Sequence, residues 1–124
     1  MIHLDTNYLI GLVTVPSPFK AELIAWMRAD EKLAVSAVAW SEFLNGPVTQ
    51  QQIHDASVIV EGRVIVFGIA EAEMAAKIFN QTGRKRTTRT DCFIAATAIC
   101  ARAALATENR KDFMPFVGAG LPLA

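Results

Sequence analysis

Three carboxylates lie in apolar stretches, where an ionised oxygen is hard to keep. Asp5 ends the run Met1-Ile2-His3-Leu4, Glu42 is embedded in residues 37–44, and Asp91 opens Cys92-Phe93-Ile94-Ala95-Ala96. Each is expected to be partly buried. A carboxylate in such surroundings must be neutralised, hydrogen-bonded or bound to a cation. Three in one small chain point to a shared divalent ion, because like charges a few ångströms apart cannot all ionise without one. Magnesium or manganese prefers oxygen ligands and keeps several waters, so acids drawn from distant segments suit it. Such an ion activates water and stabilises charge on a phosphoryl oxygen, which makes phosphodiester hydrolysis the natural chemistry. Each acid also has a structural alternative: Asp5 as an N-cap, Asp91 as the acidic partner in a capping box Thr88-x-x-Asp91, and Glu42 in a salt bridge with an arginine.

The elements that must position these acids alternate between strand and helix. Residues 1–4 read as a short buried strand, and Asp5-Thr6-Asn7 supplies capping side chains for a helix through Tyr8 to Val13. Ser17 as N-cap and Pro18 at the first helical position start a second helix that ends near Asp30. Residues 33–35 form a second strand, and Ser36 caps a helix bearing Val38, Trp40, Glu42 and Phe43 until Gly46-Pro47 stops it. A helix over 49–60, a strand over 63–67 and an Ala-rich helix over 70–81 closed by Gly83 follow. After a basic turn comes a central helix over 88–104, apolar on most sides, then a strand over 104–106 and a helical turn over 109–113. The Gly- and Pro-rich tail carries no clear pattern. Strands spaced by helices imply a parallel sheet covered on both faces, with sites outside the carboxyl ends of its strands. Asp5 occupies such a turn, and Glu108, Asn109 and Asp112 follow the last strand at the equivalent end.

At 124 residues the chain suits one domain over 1–124 with one core. Hydrophobic residues at 52% against 19% charged exclude disorder, and no uncharged run nears the roughly 18 residues needed to cross a bilayer. No basic segment precedes the first strand, so no signal peptide is expected and a cytoplasmic location follows. Twelve basic and twelve acidic residues cancel, so nucleic-acid binding would rest on local charge. Cys92 and Cys100 stand about 12 Å apart along one helix, beyond disulfide reach, and both read as small core residues in a reducing compartment.

The order of the motifs resembles the PIN-domain nucleases. The resemblance rests on Leu4-Asp5-Thr6-Asn7, Ser41-Glu42-Phe43, Asp91-Cys92-Phe93-Ile94-Ala95-Ala96-Thr97-Ala98, and Leu105-Ala106-Thr107-Glu108-Asn109-Arg110-Lys111-Asp112-Phe113, and it spans nearly the whole chain. The length and the Asp112-Phe113 ending resemble the free-standing VapC toxin type. That resemblance implies an α/β fold of three layers, α/β/α, around a short, mainly parallel sheet of four to five strands. It implies a Mg2+- or Mn2+-dependent endoribonuclease whose acids are Asp5, Glu42 and Asp91, with Thr6 and Asn7 supporting the first. It further implies a homodimer, an RNA substrate and a cognate antitoxin. Many relatives carry an acid where this chain has Asn109, which leaves Asp112 as the remaining carboxylate, with Thr107 and Asn109 in support.

Arg84, Lys85, Arg86 and Arg89 put four cations immediately before the helix of Asp91, where they can hold RNA phosphates, with a solvated turn as the alternative. Trp26, Trp40, His3 and His54 read as structural. An aspartyl-phosphate mechanism at Asp5 would expect a second aspartate where Asn7 stands. A catalytically inert PIN-like RNA-binding or scaffold protein is the rival to the nuclease.

Overall fold

The computed structural model describes residues 1–124. Its centre is a parallel sheet of β1 (Ile2–Leu4), β2 (Leu33–Ser36), β3 (Val64–Ile65) and β4 (Ala104–Ala106), in the spatial order β3-β2-β1-β4. Ile2 pairs with Leu33 on one side and with Ala104 on the other, so β1 and β2 hold the middle. Every residue of these two strands is buried. Apolar runs buried on both faces require helices above and below, and the connections supply them. The helices are α1 (Thr6–Val13), α2 (Lys20–Arg28), α3 (Ala37–Asn45), α4 (Gln50–Ile59), α5 (Ile69–Gln81), α6 (Arg89–Cys100) and α7 (Arg110–Val117), with a 3₁₀ turn at Arg86–Thr88. None is long and apolar enough to cross a membrane.

Local chemistry explains most boundaries. Ser36 ends β2 and accepts from the Ala39 amide at 3.0 Å, so strand becomes helix within one residue. Thr49 and Gln52 form a reciprocal capping box at α4. Gly83 closes α5 with φ +94°, a conformation open to glycine because it has no Cβ. The α6 helix is central as expected, burying Ile94 and Ala95 through Ala98.

Several expectations need correction. Ser17-Pro18 does not open α2: the Ser17 hydroxyl donates to the Gly11 carbonyl at 2.8 Å, and the helix begins at Lys20 with no side-chain cap. Gly11 lies inside α1 because the Phe19 ring rests where its Cβ would be. The strand over 63–67 shrinks to two half-buried residues at the sheet edge, and the helix over 88–104 loses a turn to Arg102, whose φ of +54° ends it. The tail is structured: the Leu105 amide donates to the Pro122 carbonyl at 2.9 Å and the Ala124 amide to the Leu105 carbonyl at 2.8 Å, covering the outer edge of β4. Cys92 is buried, but Cys100 is exposed, since α6 turns its last residue outward.

Candidate active site

At the carboxyl end of β1 the backbone turns into α1, and Asp5 is the residue at the turn. Its amide donates to the Ala106 carbonyl at 2.9 Å, tying it to the end of β4. Its Oδ1 accepts from the Thr6 amide at 2.8 Å, the N-cap bond, and its Oδ2 accepts from the Thr107 hydroxyl at 2.7 Å. The cap reading therefore accounts for one oxygen only. Burial pushes the carboxyl above the ordinary carboxylate range, against the pull of the Thr107 and Thr6 hydrogen bonds. The Thr107 hydroxyl also accepts from the Asn109 amide at 3.0 Å, so it pins the chain entering α7 to the same point.

Glu42 reaches this turn from α3. Its Oε1 accepts from the Thr6 hydroxyl at 2.9 Å. Contrary to expectation Glu42 is exposed, because Ala39 and Phe43 take the buried face of α3. It has no arginine partner; the ion pairs of the chain are Met1 with Glu31 and Arg63 with Glu61. The capping box at Asp91 is absent too: Thr88 donates its hydroxyl to the Lys85 carbonyl and makes no cap bond. Asp91 is half-buried in the first turn of α6, and its carboxyl is raised to about 6, first by burial and then by the charges of Asp5, Asp112 and Glu42. Acids from the β1 turn, α3 and α7 thus lie near enough to Asp91 on α6 for their charges to act on it. No three of them approach closely enough to enclose one ion directly.

The remaining expected residues divide. Asp112 lines a cavity of about 420 Å³ with Asp91, Lys85 and Lys111. Asn109 is exposed and contributes its backbone at the start of α7, while Asn7 is exposed on α1. The basic strip splits. Lys85 faces Asp91 and Asp112, whereas the Arg89 guanidinium lies 5.7 Å over the Phe79 ring beside an apolar hollow between α5 and α6. Arg84 and Arg86 are exposed. Sequence reasoning missed Lys111, whose position directly before Asp112 was the available signal.

The family model described as PIN domain matches residues 2–114. The chain belongs to the PIN domain family. Solved structures agree in fold. A chain of the toxin-antitoxin complex from Klebsiella pneumoniae is 27% identical, with a TM-score of 0.70 and coverage of 92% of this chain and 91% of that one. VapBC-1 from nontypeable Haemophilus influenzae matches at 24% identity and TM-score 0.72, covering 100% and 97%. FitAcB from Neisseria gonorrhoeae matches at 24% and 0.67, covering 99% and 96%. No curated protein matches by sequence. In this PIN domain the expected three-layer α/β fold is present, with four strands in its sheet.

Proposed function

We propose that this PIN domain, acting as one unit over residues 1–124, is a Mg2+- or Mn2+-dependent endoribonuclease and the toxin of a toxin-antitoxin pair. It would work in the cytoplasm as a homodimer blocked by its antitoxin. One observation carries the nuclease reading: Asp5, Glu42 and Asp112, from three other elements, lie near enough to Asp91 for their charges to raise its carboxyl, and none of the four is in an ion pair. A cluster of this kind is tolerable when a cation joins it. The toxin reading is supported by the 27% identity to a chain of a toxin-antitoxin complex.

PIN domains generally bind divalent metal ions, and the donor set here fits one. It consists of carboxylate oxygens without sulfur or imidazole, the choice of magnesium or manganese. No three of the acids stand close enough to hold one ion directly, so a bound ion would have to keep waters between itself and some of them. When bound, such an ion lowers the pKa of water and offsets charge on a phosphoryl oxygen. The protein's own part is positioning. Thr6 and Thr107 fix Asp5 and Glu42 in place by hydrogen bonds. Asp91, with its carboxyl near 6, can hold or release a proton close to neutral pH. Lys85 and Lys111 line the cavity beside Asp91 and Asp112 and attract the RNA backbone.

The test is cleavage of labelled single-stranded RNA by purified protein. Cutting with Mg2+, its loss on chelation, and its loss in Asp91→Asn with an unchanged circular dichroism spectrum are expected. Wild-type rates in Asp91→Asn would overturn the assignment. RNA binding without cutting in any divalent ion would establish the inert scaffold instead. Growth arrest on expression, relieved by a co-expressed antitoxin, tests the toxin role.

A further inference from the structure

A second cavity, of about 370 Å³, is lined by none of Asp5, Glu42, Asp91 and Asp112. Three of its nine lining residues are aromatic. Tyr8 stacks on Phe19 with ring centroids 3.9 Å apart and 10° between planes, and Trp26 tilts against Tyr8 at 5.6 Å. Tyr8, only 7% exposed, is one of the residues that line the cavity. Glu22 and Glu108 line the same space, close enough that their charges, after burial, push the Tyr8 phenol up to about 12. It therefore stays a donor at physiological pH. Thr107 links this space to the notch: it lines the cavity while its hydroxyl donates to Asp5 Oδ2 at 2.7 Å.

A cavity with the half-buried Trp26 ring, two carboxylates and a phenol in its lining complements a flat ring that presents adjacent donors. We infer that this cavity is a guanine subsite, taking a base splayed out of the RNA beside the phosphate held at the acid notch. RNA is read in this way when unstacked bases lie on aromatic side chains and bond through their Watson–Crick edges. Only guanine shows an N1–H and an N2 amino group side by side, the pair a carboxylate accepts. Adenine and cytosine set a ring acceptor beside their amino group, and uracil sets carbonyls around its single N–H. The Tyr8 hydroxyl then serves the guanine O6. A neutral base also fits better than a cationic side chain, because Arg110 already lines the cavity, its guanidinium fixed to the Ala124 carbonyl at 2.7 Å.

The inference rests on the ribonuclease reading, and its test separates the two. In the full chain carrying Trp40→Phe, Trp26 is the sole tryptophan and its emission reports the cavity. Titration with guanosine 5′-monophosphate should give a saturable change at concentrations about tenfold lower than inosine or adenosine 5′-monophosphate. Glu22→Gln combined with Glu108→Gln should erase that difference, and wild-type cleavage should concentrate at guanines. Equal responses to the three nucleotides, or none, overturn the subsite even if the protein cuts RNA. Saturation by N-acetyl-arginine amide alone overturns it in favour of a cationic side chain from a protein partner. Selective guanosine binding by a protein that cuts no RNA upholds the guanine site and refutes only the nuclease.

Discussion

The middle of β1 and its carboxyl end each bury one polar side chain, and they treat it in opposite ways. His3 is 1% exposed and neither ring nitrogen has a partner. Asp5, two residues on and 5% exposed, has both oxygens engaged, one by the amide of its neighbour Thr6 and the other by the Thr107 hydroxyl after β4. Burial with partners organises a group for use, whereas burial without partners forces it to stay neutral. His3 accordingly has its imidazole lowered to about 4, while Asp5 is raised and restrained by its hydrogen bonds. The first behaves as core filling and the second as the anchor of the notch.

The contrast breaks most visibly at Asp5. Asp5→Ala should lower RNA cleavage by more than the roughly 10- to 100-fold typical of losing an outer partner of a metal ligand. Thr107→Val, which leaves Oδ2 unbonded, should cost within that range and destabilise the fold by about 1–3 kcal/mol. Rates and urea midpoints measured on both variants check this. If Thr107→Val cuts like wild type, the hydrogen bond is not what organises Asp5.

His3 should respond to acid. Its folded pKa lies below the unfolded value of 6.5, so the unfolded chain binds the proton more readily. Stability is complete above about 6.5 and falls as pH drops toward 4, by up to about 3 kcal/mol. His3→Leu should flatten the curve in that window and gain about 1 kcal/mol at pH 7 by removing an unbonded polar ring. A loss of stability at pH 7 in His3→Leu would mean that the imidazole is supported after all.

The acid notch should show the reverse slope. Asp91 is raised from 3.8 to about 6, so its neutral form favours the fold below 3.8 and that advantage is lost as pH rises through 6. Without metal the ionised cluster then opposes folding, and Mg2+ should relieve it. At tenfold its dissociation constant, Mg2+ contributes about 1.4 kcal/mol, or roughly 4–6 °C in melting temperature at pH 7.5. At pH 5 the shift should shrink sharply. Equal shifts at both values would show that Mg2+ binds somewhere other than these carboxylates.

How much of this was legible follows from the range over which each feature is decided. Asp5 stood out because a strand-to-helix turn is local, and the same locality made β4 and the Ser36 cap readable. The exposure of Glu42 was not, since which side of α3 faces the core depends on α1 and α6. Ser17-Pro18 carries every local sign of a helix start, yet Phe19 packing on Gly11 sets where α2 begins. The tail beside β4 and the meeting of Lys85 and Lys111 at one cavity are likewise products of tertiary packing, which no spacing along the chain reveals.

The smallest expected effect sharpens the comparison on the outer rim of the notch. Lys85 and Lys111 share a cavity with Asp91 and Asp112, while Arg89 has its guanidinium over Phe79. Charge alone would treat the three as equals; position does not. For single-stranded RNA each phosphate contact contributes about 0.7 to the slope of log affinity against log salt. Lys85→Ala with Lys111→Ala should therefore flatten that slope by about 1.4, and Arg89→Ala should leave it unchanged. A slope that drops with Arg89 instead would move the RNA path to the α5 and α6 side, away from the acids. The anchoring of Asp5 would then be a structural device, as the silent burial of His3 is.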